Sequence, residues 1–234
     1  MKKIIFTLLL AIIFVTGIAL LLNIQVTTKQ GVNYEVQLLK IPLYLKIIDF
    51  YDRNFNYAEL AKKVVKGAKG NEQKVMKIFF WTKEHIRHNP ESLPVIDDHV
   101  WHIIVRGYGM DDQFQDVFTT LCNYSGVDAF FDYFKDKTGK KKPLSMVKIE
   151  GEWCVFDAYN GIYFRNNQGQ IASIKDILKD NYQLAGLINM KSSSTDYKEY
   201  FYALASLKYD DWYYYHSAIQ FPLRRLIFWG KKKK

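Results

Sequence analysis

Nineteen consecutive residues without a charge, Ile4 to Leu22 (IIFTLLLAIIFVTGIALLL), constrain this chain more than any other feature. At about 1.5 Å of rise per residue, a helix of that length reaches roughly across the hydrocarbon core of a bilayer. Lys2 and Lys3 stand directly before it. A secretory signal peptide has a shorter apolar centre, roughly 7–15 residues, followed by a small-x-small cleavage site. Here the run leads into Asn23 and Ile24, which favours an uncleaved signal anchor over residues 1–24. A cleaved signal is the alternative, and it sends the remainder to the same compartment. With the two lysines held on the cytoplasmic side, the expected product is a single-pass membrane protein whose folded part lies on the extracytoplasmic side.

The remainder has the makings of a core. A hydrophobic fraction of 49% and an aromatic fraction of 16% over 234 residues exclude wholesale disorder, and 13 Gly with 5 Pro exclude collagen-like chains. The formal charge of +9 sits mostly at the ends: Lys2 and Lys3 supply two of the nine and Lys231–Lys234 four, leaving +3 for everything between. The expected partners are therefore the membrane, and with it a membrane protein or an anionic envelope polymer; nucleic acid is not expected. No internal repeat and no Gly/Ser or Pro-rich linker interrupts the chain. The organisation read from it is an anchor (1–24), a connecting segment (25–56), one domain (57–220) and a basic amphipathic tail (221–234).

Periodicity and punctuation place the elements. The connecting segment includes an apolar, helical-looking run, IPLYLKIIDFY, with Pro42 suited to a first turn. Asn56 reads as the N-cap of YAELAKKVVKGAKG, which Gly67 and Gly70 would end. From Asn71, Val75, Ile78, Phe79 and Ile86 recur at helical spacing up to Asn89-Pro90. HVWHIIV gives a short helix broken by Arg106-Gly107-Tyr108-Gly109. The next starts at Asp111 or Asp112, where carboxylates suit the exposed amides, and stops at Gly126. Strands follow over 129–134, 144–150 and 152–157, with Glu150-Gly151 as a tight hairpin turn. Tyr197 to Tyr215 is dense in aromatics and is read as helix packed onto that sheet. Helices, then sheet, then helices make an α+β fold.

Cys122 falls in a helical run and Cys154 in a strand, so each is expected to be a small buried hydrophobe rather than half of a disulfide. The triplet Asn123-Tyr124-Ser125 lies at a helix end and is read as chance, not as a glycosylation site.

The succession KVMKIFFWTKEHIRHNP, RGYGMDDQFQDVFTTLCNYSGVDAFF and LSMVKIEGEWCVFDAYNGIYF, over roughly residues 70 to 165, resembles the core of the transglutaminase-like superfamily, relatives of papain-type thiol enzymes. The resemblance implies helices packed on an antiparallel sheet. It also implies a nucleophilic cysteine at the start of the helix after the Gly turn, where the helix end and an imidazolium lower a thiol's pKa. GYGMDDQF stands where the family reads Gly-Tyr-Gly-x-Cys-x-Gln-Phe, so Asp111 occupies the cysteine's place. The family histidine lands on Lys142, with a one-residue slip reaching Lys141 or Pro143. The orienting aspartate matches Asp157. A lysine with an ordinary pKa of about 10.4 is protonated near pH 7 and takes no proton there. The inherited thiol reaction is therefore expected to be absent, and no cofactor or metal is expected. A lysine between two aspartates reads as a charge-compensated structural site.

Residual candidates remain for an active reading. His99 and His102, three residues apart beside Asp97, Asp98 and Trp101, are the best placed for acid–base or metal work; a hydrolase or transferase using Asp111 and Asp157 with one of them, on a glycan or peptide, is the alternative function. His85 and His88 are read as solvated histidines of a last helical turn. Asp111, Asp112 and Asp116 suggest a cation cluster, but helix-start roles explain the first two equally well. In the tail, Arg224, Arg225, Trp229, Lys231, Lys232, Lys233 and Lys234 have the composition of a membrane-surface segment, a solvated basic tail being the alternative.

Overall fold

The computed structural model describes residues 2–32, 35–96, 99–186 and 195–220. The chain divides into two compact units, Met1–Asn56 with Pro94–Asp98, and Tyr57–Leu93 with His99–Lys234.

The first unit opens on helix α1 (Lys2–Leu22), in which no residue is buried. It is long and apolar enough to cross a membrane. Strands β1 (Gln25–Val32) and β2 (Glu35–Pro42) pair as an antiparallel hairpin in the register Gln25↔Pro42. Helix α2 (Leu43–Val64) follows at once. The apolar run IPLYLKIIDFY is helical from Leu43, as expected, and a hairpin precedes it. One expectation is corrected: Asn56 caps nothing and lies inside α2, because the apolar pattern of IPLYLKIIDFY continues in phase into YAELAKKV. Pro42, with no N–H to give, ends β2 just before the first turn.

The second unit is built on an antiparallel sheet of β5 (Ala129–Lys135), β6 (Lys141–Ile149), β7 (Glu152–Asp157), β8 (Ile162–Arg165) and β9 (Gln183–Gly186), neighbours in that order. Glu150 and Gly151 both take positive φ and close the β6–β7 hairpin at Ile149↔Glu152. Strand alternation sends side chains to two cores. Val147, Ile149, Cys154, Phe156 and Tyr163 face α3 (Asn71–His85), α4 (Val100–Arg106) and α5 (Asp111–Tyr124). Leu144, Met146, Trp153, Val155, Ile162 and Phe164 face the other way. That second face is covered by α6 (Ile174–Leu178), α7 (Lys198–Phe201), the 3-10 turn Tyr202–Ser206 and α8 (Tyr209–Gln220), with Tyr197, Tyr200, Phe201 and Leu204 buried against it. Of the aromatic run expected to pack on the sheet, Tyr197, Tyr200 and Phe201 are buried against it, while Tyr202, Trp212 and Tyr214 are exposed. A sheet buried on both faces explains why every residue from Trp153 to Asp157 is buried.

Cys122 and Cys154 are buried free thiols. Burial pushes the Cys122 thiol well up and the Cys154 thiol to about 12. The Asn123 amide is used inside the fold, its Nδ2 donating to the Ala129 carbonyl at 2.7 Å and its Oδ1 accepting from the Ala129 N–H at 3.1 Å. On the helical side, Phe79 packs its ring against those of Phe118, Phe156 and Tyr163, with centroids 5.5, 5.3 and 5.9 Å away. Phe79→Ala is expected to cost about 3–5 kcal/mol, read as a lower unfolding midpoint in denaturant with the chain in detergent.

Candidate functional site

The turn before α5 is shaped by its two glycines. Gly107 ends α4 with φ +73°, a left-handed conformation that glycine adopts without steric cost. Gly109 is required by space: a Cβ there would lie 2.9 Å from Gln113 Oε1. That oxygen accepts from the Met110 N–H at 3.0 Å and from Arg106 at 3.3 Å, and so fastens the first turn of α5. Tyr108 and Gly109 form a short strand, β4, parallel to β3 (Arg87–His88). The pairing His88↔Gly109 brings His88 to the start of α5.

Asp111 is the first residue of α5, Lys142 the second of β6 and Asp157 the last of β7. The register Ser145↔Phe156 sets Asp157 opposite Leu144, so that Lys142, two residues on, shares its face. Lys142 Nζ lies 2.9 Å from Asp157 Oδ2, with side-chain exposures of 13% and 0%. The same oxygen accepts from Tyr197 Oη at 2.7 Å and Asn160 Nδ2 at 2.8 Å. Oδ1 accepts from the Asn160 N–H at 3.0 Å and Gln115 Nε2 at 3.3 Å. Gln115 is itself fixed, its Oε1 accepting from Ser145 Oγ at 2.7 Å and the Ala158 N–H at 3.2 Å. A buried carboxylate with this many donors is held in one orientation.

Asp111 is different. Its carboxylate accepts from the Asp112 N–H at 2.9 Å, and Lys142 acts on it through space while making its ion pair with Asp157. Burial raises the Asp111 pKa above the ordinary 3.8, and the charges of Asp112 and Asp157 push the same way, against the opposing effects of that hydrogen bond and Lys142. The lysine is thus bonded to one aspartate, not to both.

The remaining candidates separate. His99 stands at the N-cap of α4 and His102 within the helix; both are exposed, their rings 6.0 Å apart. Asp97 and Asp98, with Arg224, Arg225, Trp229 and Lys231 to Lys234, lie outside the described residues. Asp112 accepts from Tyr133 Oη at 2.8 Å, and Asp116 from Thr120 Oγ1 at 3.4 Å. Among the described residues no three His, Cys, Asp or Glu side chains gather as a metal-binding group.

Both histidines read as solvated are exposed, and only the helical placement of His88 is corrected. His85 does close the last turn of α3, stacked on Trp81, but His88 belongs to β3 and stacks on Tyr159 at 4.1 Å beside the site. Its Nε2 lies 3.1 Å from Lys83 Nζ, which also donates to the Tyr159 carbonyl at 2.6 Å. The same Nε2 lies 3.2 Å from the Tyr159 carbonyl, so it faces a donor and an acceptor at once, and the ring's tautomer decides which of the two it bonds. Burial first, then the Lys83 charge, lowers the His88 pKa, and burial lowers that of Lys83. Lys83, His88, Gln115, Tyr159, Asn160 and Tyr197 were not among the site residues read from sequence. Only two carried a signal there: Gln115 is one turn from Asp111 on an otherwise apolar helix face, and Asn160 follows Asp157 in a short polar turn.

Residues 58–158 match the family model of the transglutaminase-like superfamily. Over those residues the chain is similar to the transglutaminase-like superfamily. Among solved structures it is similar to a candidate cysteine protease from Cytophaga hutchinsonii (18% identity, TM-score 0.40, covering 61% of this chain and 52% of that one). It is also similar to a candidate protease from Parabacteroides distasonis (8%, TM-score 0.38, 56% and 35%) and to a TGase (13%, TM-score 0.37, 74% and 48%). The chain spans about half, or less, of the length of these structures. Comparison with curated proteins gave no significant match.

Two outcomes follow for the transglutaminase-like site. Asp157→Asn leaves the Lys142 ammonium without its counter-charge and is expected to cost about 3–5 kcal/mol of unfolding free energy. Asp111 acts in the opposite sense. Its raised pKa means the folded chain holds this proton to higher pH than the unfolded one, so the contribution is favourable at low pH and is lost as pH rises through the folded-state value. Asp111→Asn is therefore expected to gain stability over wild type between about pH 4 and neutral, measured as the difference in unfolding midpoint across that range.

Proposed function

We propose that this protein is a membrane-anchored, extracytoplasmic transglutaminase-like pseudoenzyme, which serves as a binding or assembly partner for a membrane protein or a cell-envelope polymer. The observation that carries the reading is the Lys142–Asp157 ion pair at 2.9 Å. It occupies the positions where the family resemblance expects the histidine and its orienting aspartate. A neutral imidazole there would accept a proton from a thiol; an ammonium already committed to a buried carboxylate does not. The nucleophile's position holds Asp111, and the native thiols are no substitute: Cys122 is buried in the helical-side core and Cys154 in β7, both with raised pKa values. A thiol held above neutrality stays protonated and unreactive. The anchor reading rests on α1 and on Lys2 and Lys3 before its apolar run.

A second reading has one observation in its favour. A carboxyl whose pKa is raised by burial, as at Asp111, is the form a general acid takes, and its partner would be Asp157 with a nearby histidine. The histidine beside the site is His88 rather than His99 or His102, and its Nε2 already faces an ammonium. Asp157 has its oxygens filled by donors. Both facts favour the pseudoenzyme.

The site can be asked to become what the family would have. In the double variant Asp111→Cys, Lys142→His, the introduced thiol at position 111 is expected to react with iodoacetamide near neutral pH several-fold faster than in Asp111→Cys alone, since only the former regains an imidazole partner. Wild type should take up no label in its folded state. Equal rates in the two variants would show that positions 111 and 142 are not a thiol–imidazole pair and would end the reading. A pulldown from membranes with wild type and with Asp111→Ala, Lys142→Ala then locates the binding face. Loss of capture in the variant places it at the site, unchanged capture places it elsewhere, and a turnover activity lost with the variant contradicts the pseudoenzyme.

A further inference from the structure

Helix α2 carries an apolar face that the fold leaves open. Tyr44, Ile48, Tyr51 and Phe55 recur at intervals of four, three and four, with Ile47 beside them, and so line one side of the helix. All are exposed, Ile48 at 57%, Phe55 at 62% and Tyr51 at 72%. Lys46, Asp49, Arg53 and Asn56 occupy the opposite side, with Asp52 at its border. An amphipathic helix normally buries such a stripe, because each large apolar side chain left in water forgoes its transfer free energy.

The start of α2 is fixed to the end of α1. The Ile24 N–H bonds to the Leu21 carbonyl at 3.2 Å, and the Leu43 N–H bonds to the Ile24 carbonyl at 2.9 Å. Lys46 Nζ donates to the Thr27 carbonyl in the first residues of β1. The hairpin therefore goes out and returns, and the first turn of α2 begins within a few residues of Leu22, where the apolar span stops. If α1 crosses a bilayer, that junction is at headgroup depth.

We propose that the face of Tyr44, Ile47, Ile48, Tyr51 and Phe55 lies in the interfacial zone of the bilayer, making α2 a second, monotopic attachment beside the anchor. Three features select lipid as the occupant. The face adjoins the exposed apolar surface of α1 at a hydrogen-bonded junction. Tyrosines, apolar in body and polar at the tip, belong to that zone. The charges of Lys46, Asp49, Asp52 and Arg53 cancel, so attachment comes from apolar burial and is insensitive to lipid charge and to salt. The proposal depends on α1 as a membrane span and deepens the membrane-anchored reading: the first unit would hold the bilayer at two places, α1 and the start of α2.

The test uses the full chain in phosphatidylcholine vesicles, with an environment-sensitive fluorophore on Val15→Cys, Ile48→Cys or Asp49→Cys. The native thiols are buried, so each variant takes label at one place. The expected result is quenching of the Val15 and Ile48 labels by brominated acyl chains, while the Asp49 label responds only to aqueous iodide. A Val15 label in lipid with an Ile48 label open to iodide would overturn the α2 attachment and leave the anchor standing. A Val15 label open to iodide would overturn both. An Ile48 label shielded from iodide and from bromine alike would show protein on this face, a second copy or another chain, and would also overturn the proposal.

Discussion

The second unit is organised around a buried negative charge. Asp157 ends β7 with no solvent exposure, and a carboxylate in that position persists only if its charge and lone pairs are answered inside the protein. The answers come from separate parts of the chain: Lys142 on β6, Gln115 on α5, Asn160 in the following turn and Tyr197 before α7. Each donor ties one element to the end of the sheet. The site is therefore also a junction, and the aromatic C-terminal third reaches it through Tyr197.

The sheet makes that junction possible. With apolar side chains on both faces, β6 and β7 need cover on two sides, and α5 supplies one while α6 to α8 supply the other. Asp157 lies where the strand runs out between these layers. There it holds the Lys142 ammonium. Lys142 satisfies the carboxylate as a donor and joins the start of β6 to the end of β7.

How far the sequence revealed this varies by element. α3, α4 and α5 follow from apolar periodicity and from glycines whose roles are local: Gly107 needs its left-handed backbone and Gly109 its lack of a Cβ against Gln113. The Glu150-Gly151 hairpin is legible for the same reason. The β1–β2 hairpin was hidden because QVTTKQGV and EVQLLKIP lack a clean alternation, and Asn56 misled because its capping preference is outweighed by the helix running through it. β8 and β9 are too short to announce themselves. At the site, Lys142 and Asp157 came from the family pattern, whereas Tyr197 is joined to Asp157 across 40 residues and His88 reaches α5 through a two-residue parallel pairing. Tertiary neighbours of that kind leave no local trace.

Lys142 and Asp157 form one ion-paired unit. A double-mutant cycle on unfolding free energy, with Lys142→Met, Asp157→Asn and the two combined, measures that unit directly. The expected coupling is at least about 1.5 kcal/mol, with the combined variant more stable than the sum of the single losses implies. Additivity within about 0.5 kcal/mol would contradict it.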